Sequence, residues 1–136
     1  MTDPQQDAIH HILTRYRVVA VAGFNERDRT QAAYYVPAYL KGQGFTILPV
    51  GRGLREGLGR PAYPSLRDAP GMEVALLYLP PRRVGPAVDE AIAAGARAVW
   101  LPLGVIDESA AARARAAGLW VVMDRCMMVE HKYLDL

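Results

Sequence analysis

The chain has a single cysteine, Cys126, so it can form no internal disulfide, and one thiol cannot build a structural zinc site. Long hydrophobic runs are also missing. No stretch approaches the ~20 uncharged apolar residues that span a bilayer, which argues against a membrane partner. Neither sign of charge dominates: 16 Lys and Arg stand against 14 Asp and Glu, and bulk electrostatics gives no support to a nucleic-acid partner. The three histidines (His10, His11 and His131) have no metal-ligand spacing, and they are expected to be solvated or to cap helices. Ser65 and Ser109 are the only serines, and neither stands in a Gly-x-Ser-x-Gly elbow. No catalytic constellation is visible, which points away from an enzyme. The polar, acidic start Met1 to Asp7 lacks the basic-then-apolar pattern of a secretory signal, so the expected location is cytoplasmic.

What the 136 residues do contain is a composition with a core: 51% are apolar and 22% charged, enough for one domain spanning 1–136. Residues 1–16 read as an N-terminal helix, with Asp3 as cap, Pro4 in its first turn and Ile9, Ile12, Leu13 and Tyr16 along one face. From residue 17 onward, short apolar runs alternate with helical patterns. The runs are Val18 to Ala22, Phe45 to Val50, Val74 to Leu79, Ala98 to Leu101 and Trp120 to Met123. Consecutive rather than alternating apolar positions mark strands covered on both faces. The fold class is therefore α/β: a single-domain, Rossmann-like, doubly wound parallel sheet of five strands with flanking helices, expected in spatial order 3-2-1-4-5.

Helices are expected over Thr30 to Lys41 (with Pro37 bending it or delaying its start), Val84 to Ala94, Glu108 to Ala117 behind an Asp107 cap, and Cys126 to Tyr133. The stretch between the second and third strands, rich in glycine and arginine, reads as a loop with one helical turn after Pro64.

Ligands of such sheets bind at the carboxyl ends of the strands. After the first strand, Gly23 permits a sharp turn. The amides opening the next helix can hold a phosphate there, with Phe24, Asn25, Arg29, Thr30 and Gln31 close by. The G-x-G-x-x-G signature is absent, which disfavours NAD. After the second strand (Val50, Gly51, Arg52) the carboxylate that would accept from ribose hydroxyls is replaced by Arg52 and Arg55. Arginine attracts a phosphorylated ribose, so coenzyme A or NADP is favoured over NAD or FAD. After the third strand, Leu79 and Pro80 offer an apolar wall for an adenine, and Pro81 stiffens the loop before Arg82 and Arg83. Leu103 and Gly104 either line a pocket wall or pack under the fourth helix. Cys126, at a helix start beside Arg125, is either a thiol of lowered pKa or a small packing residue.

With these segments placed, the chain resembles the small stand-alone CoA-binding proteins of Rossmann type, relatives of the N-terminal domain of the succinyl-CoA synthetase alpha subunit. The likeness is carried by Ala98 to Val105, Ala116 to Cys126 and Glu130-His131, and in order by Val19 to Gly23, Ile47 to Val50, Leu58-Gly59 and Tyr63 to Leu66. It implies that coenzyme A lies across the strand ends, with its pyrophosphate at the loop after Gly23 and its adenosine near the loops after strands two and three. Two departures stand out. Phe24-Asn25 replaces a small loop with serine, and Gly51-Arg52 replaces Asn-Pro-Lys, with Arg52 taking over the lysine's charge. The synthetase's second domain, which carries a phosphorylated histidine, has no counterpart here, so ligase activity is not implied.

The expectation is a non-catalytic protein holding coenzyme A or a short acyl-CoA, a small nucleotide ligand. The rivals are an NADP-linked oxidoreductase on the same fold and a thiol-redox protein whose Cys126 forms a mixed disulfide with coenzyme A. Trp100, Trp120 and the Met127-Met128 pair suit an interface with a protein partner or a second copy as readily as a core.

Overall fold

A computed structural model describes residues 3–134. Strands β1 (Val18–Ala22), β2 (Thr46–Val50), β5 (Val74–Leu77), β6 (Ala98–Trp100) and β7 (Trp120–Val122) form one parallel sheet in the order β2-β1-β5-β6-β7. The short strands β3 (Glu56–Gly57) and β4 (Arg60–Pro61) make a separate antiparallel hairpin. No helix among the described residues is long and apolar enough to cross a membrane.

The five apolar runs are therefore arranged 2-1-3-4-5, not 3-2-1-4-5. Pro49 gives the physical reason. Its carbonyl faces away from β1 and accepts the Tyr63 amide at 2.9 Å, so the N–H that proline lacks is missing from the outer edge. Inside a sheet that gap would break a ladder. The run with no such defect, Val74 to Leu77, is wholly buried and takes the centre beside β1.

The sheet is covered on both faces. Helices α1 (Gln6–Arg15), α2 (Ala32–Gly42) and α5 (Met127–Lys132) pack on one face, through Ile9, Ile12, Leu13, Val36, Leu40 and Met127. Helices α3 (Pro81–Ala93) and α4 (Glu108–Ala116), with a 3-10 turn at Leu66–Asp68, pack on the other. Trp100 and Met127 belong to the core, being fully buried, and the Trp100 indole donates to the Arg125 carbonyl at 2.8 Å. Trp120 is 37% exposed, with its ring stacked on His11 at 4.0 Å. His131 is not solvated: it is buried against Phe45 and shares a 2.8 Å hydrogen bond with the Tyr39 hydroxyl.

Three helix starts bear on the site. Helix α2 begins at Ala32, because Thr30 and Gln31 are drawn into turns around Asp28. Pro37 sits inside α2 without ending it. Helix α3 begins at Pro81, three residues before the expected Val84. Proline at the first helical position has a suitable φ and no N–H to leave unpaired. Helix α4 starts as expected, with the Asp107 carboxylate accepting the Ala110 amide at 2.9 Å, a cap worth about 1 kcal/mol.

Candidate functional site

Helix α2 follows β1 onto one face and α3 follows β5 onto the other, so the connections part at the carboxyl ends of β1 and β5. That divergence opens a crevice in which doubly wound sheets bind ligands. Here it is a cleft of about 990 Å³. Three segments wall it: the loop after β1, the stretch from Val50 into the hairpin, and the face of α3.

Gly23 brings two walls together. Its amide donates to the Val50 carbonyl at 3.2 Å, its φ is +78°, and a Cβ would lie 2.0 Å from the Tyr78 carbonyl oxygen. Only glycine allows the loop to cross the end of β5 so closely. The loop then spends its polar groups on itself. Asn25 Oδ1 accepts the Arg27 and Asp28 amides at 3.0 Å each, and Asp28 Oδ1 accepts the Thr30 amide at 3.0 Å. Hydrogen bonds from the Thr30 hydroxyl and then its amide hold the Asp28 carboxyl below its ordinary pKa.

Of the residues expected at the site, the cleft brings together Gly23, Phe24, Asn25, Val50, Gly51, Arg52 and Leu79. It does not include Arg29, Thr30 or Gln31: Thr30 and Gln31 bind Asp28, and the Arg29 guanidinium lies over the Tyr34 ring at 5.4 Å. No residue of α2 lines the cleft. Pro80 and Pro81 are absent from the lining as well, being the cap and first residue of α3. Leu103 is 72% exposed on the loop after β6, and the Gly104 amide there donates to Asp124 Oδ1 at 2.7 Å. Cys126 caps α5 and packs with the apolar cluster on the α1-α2-α5 face. It lies four residues beyond the end of β7. Near it the Tyr78 hydroxyl is buried without a partner among the described residues, and that burial pushes the phenol far above its ordinary pKa.

The cleft also contains Arg83, one of the two arginines noted after the third strand, together with residues the sequence did not place at the site. Arg83, Ala87 and Glu90 stand at i, i+4 and i+7 on α3 and share one helix face, a spacing that was there to be read. Ser65 enters from the 3-10 turn, its hydroxyl donating to Asp68 Oδ2 at 2.7 Å.

Four arginines line the cleft: Arg27, Arg52, Arg55 and Arg83. Among the described residues the ion pairs are Arg113 with Asp89 and Arg125 with Asp3 and Glu130, so none of the four is paired. Glu26, Glu56 and Glu90 also line it, with Glu90 occupied by the Arg67 amide at 3.1 Å. Beneath these charges lies an apolar floor that includes Val50, Leu66, Leu79 and Ala87. Unpaired guanidinium groups over such a floor suit a ligand with phosphates and a flat apolar ring.

Residues 17–132 match the CoA binding domain family. The chain belongs to that family. It is 29% identical over 133 residues to the uncharacterized protein YneT of Bacillus subtilis (strain 168), covering 96% of this chain and 97% of that one. Among solved structures it is similar to a hypothetical protein from Pyrococcus horikoshii OT3, at 36% identity and a TM-score of 0.90, covering 98% and 97% of the two chains. The protein described as cell-free ID.343 from Thermus thermophilus is 33% identical with a TM-score of 0.84, covering 97% and 98%. The cleft fits the CoA ligand class on its own chemistry: cations free to meet phosphates, an apolar floor for a purine, and a glycine that lets the backbone approach closely.

Proposed function

We propose that the cleft binds coenzyme A or a short acyl-CoA, and that holding this ligand, rather than transforming it, is the protein's role. The observation that carries the proposal is the set of four unpaired arginines over an apolar floor at the point where the strand connections diverge. In this assignment the pyrophosphate lies against the Gly23 to Arg27 loop, Arg52 meets the ribose phosphate, and Leu79 contacts the adenine. A holding role is supported by the lining among the described residues, which has no histidine, cysteine or lysine, the carboxylates Glu26, Glu56 and Glu90 being its remaining titratable acids. Covalent catalysis by a thiol or an amine would need such groups in reach of the ligand.

Isothermal titration with coenzyme A, NADP and NAD tests the assignment. Saturable heat with coenzyme A and none with NAD is the expected outcome. Binding of NADP without binding of coenzyme A overturns it in favour of an oxidoreductase.

A further inference from the structure

Strands β3 and β4 have two residues each, too few to hold a hairpin in place alone. Contacts with the body hold this one. At its base the Tyr63 amide and carbonyl bond to Pro49 and Gly51, both at 2.9 Å. At its tip the Lys41 ammonium, from the last turn of α2, donates to the Leu58 carbonyl. Leu58 has φ +52°, a left-handed conformation that leucine adopts at a cost, so this clasp fastens a strained turn. Midway, the Phe24 ring rests on Gly57, where a Cβ would come within 2.5 Å of the ring edge. Phe24 is buried, and its ring also meets the Tyr34 ring at 5.7 Å.

The residues between base and middle, Arg52 to Glu56, form one wall of the cleft, and Phe24 stands between Gly23 and Asn25 of another. Each end of the Phe24–Gly57 contact therefore belongs to a ligand-facing segment.

We infer that Phe24, braced between Tyr34 and Gly57, and the Lys41 clasp hold the hairpin arm in place before any ligand arrives, so that Arg52 and Arg55 already face the cleft. Phe24 is then a positioning residue that acts through the arm. Holding the arm beforehand lowers the ordering cost of binding. The inference rests on the coenzyme A reading for its ligand titrations but not for its exchange measurements.

Two measurements on the full chain test it. The first is hydrogen exchange of residues 52–62. The Ala62 amide, bonded to the Arg55 carbonyl at 2.9 Å, should be protected without ligand, and coenzyme A should change that protection little. An arm that exchanges freely until coenzyme A is added is a lid, and overturns the inference. The second is coenzyme A titration of Gly57→Ala, Phe24→Leu and the double variant. Gly57→Ala should weaken binding by about tenfold and flatten its salt dependence, because the displaced arm withdraws two guanidinium groups. The double variant should recover much of that loss, since leucine removes the ring edge that the new methyl meets. Wild-type affinity in Gly57→Ala, or a double variant no better than it, overturns the coupling. If the wild-type protein takes up no coenzyme A, the cleft reading fails, while exchange in the unliganded arm still decides whether the arm is held.

Discussion

The Asn25 amide donates to the Ala33 carbonyl at 3.2 Å, and this is the carbonyl that Pro37 leaves without a helical partner. In an unbroken helix the residue at position 37 would donate its N–H there. Proline has none, so α2 carries an open acceptor in its first turn, and the loop lining the cleft is anchored to it. A proline that looks like a helix defect thus helps to fix the position of Asn25.

Replacing Pro37 with alanine restores a competing donor. Interior proline disfavours a helix by about 3 kcal/mol, so the variant should melt no lower than wild type. Coenzyme A affinity should nonetheless fall by roughly threefold to tenfold, as a freed loop must be ordered on binding. Calorimetric melting with titration measures both. A variant with undiminished affinity would show that the Asn25 anchor has no bearing on the site.

Arg52→Ala tests the placement of the ribose phosphate. A hydrogen bond to a charged group contributes about 1.5–3 kcal/mol, so coenzyme A should bind roughly tenfold to a hundredfold more weakly. Dephospho-CoA, lacking the phosphate that Arg52 is assigned, should lose far less. Equal losses for the two ligands place Arg52 elsewhere along the molecule.

Residue type and spacing made the strands legible, because burial on both faces leaves continuous apolar runs. Strand order was legible only in part. Pro49 signals an edge position, but its significance depends on which neighbour its carbonyl faces. The hairpin was hidden because its turn is Leu58-Gly59, with φ +52° and +80°, where Asn-Gly is the usual signal. Of the cleft lining, Gly23, Asn25 and Arg52 were legible from the strand ends alone. Arg29, Thr30 and Gln31 lie outside the cleft lining, and for Thr30 and Gln31 the reason is that Asp28 takes up the Thr30 amide and hydroxyl and the Gln31 side chain, a local competition that composition does not reveal.

His131 should make stability depend on pH. Burial, followed by the nearby Arg17 charge, pushes its pKa below the ordinary 6.5, so the unfolded chain binds a proton that the folded chain resists. The stabilisation it contributes is complete above pH 6.5 and is lost as pH falls through the lowered folded value. Melting temperature should therefore drop from pH 7 towards pH 5, and the drop should be smaller in His131→Gln. Parallel pH profiles for the two proteins would assign the acid sensitivity to other groups.

The last prediction concerns the opposite edge of the sheet. The Gln5 side chain donates from Nε2 to the Met123 carbonyl at 2.9 Å and accepts the Met123 amide through Oε1 at 2.7 Å. One primary amide thus stands in for a rung of a neighbouring strand beside β7, and the Asp3–Arg125 pair, at 2.8 and 3.0 Å, fastens the same segment. Gln5→Glu keeps the acceptor but loses the donor, setting a carboxylate against a carbonyl. Its expected cost is about 1–3 kcal/mol in denaturant unfolding, with the Met123 amide still slow to exchange. Gln5→Ala removes both bonds, so the Met123 amide should exchange faster. The Leu101 amide, which bonds inward to Val122 at 2.8 Å, should be unaffected. Faster exchange at both amides would mean that β7 detaches as a whole and that Gln5 does more than cover its edge.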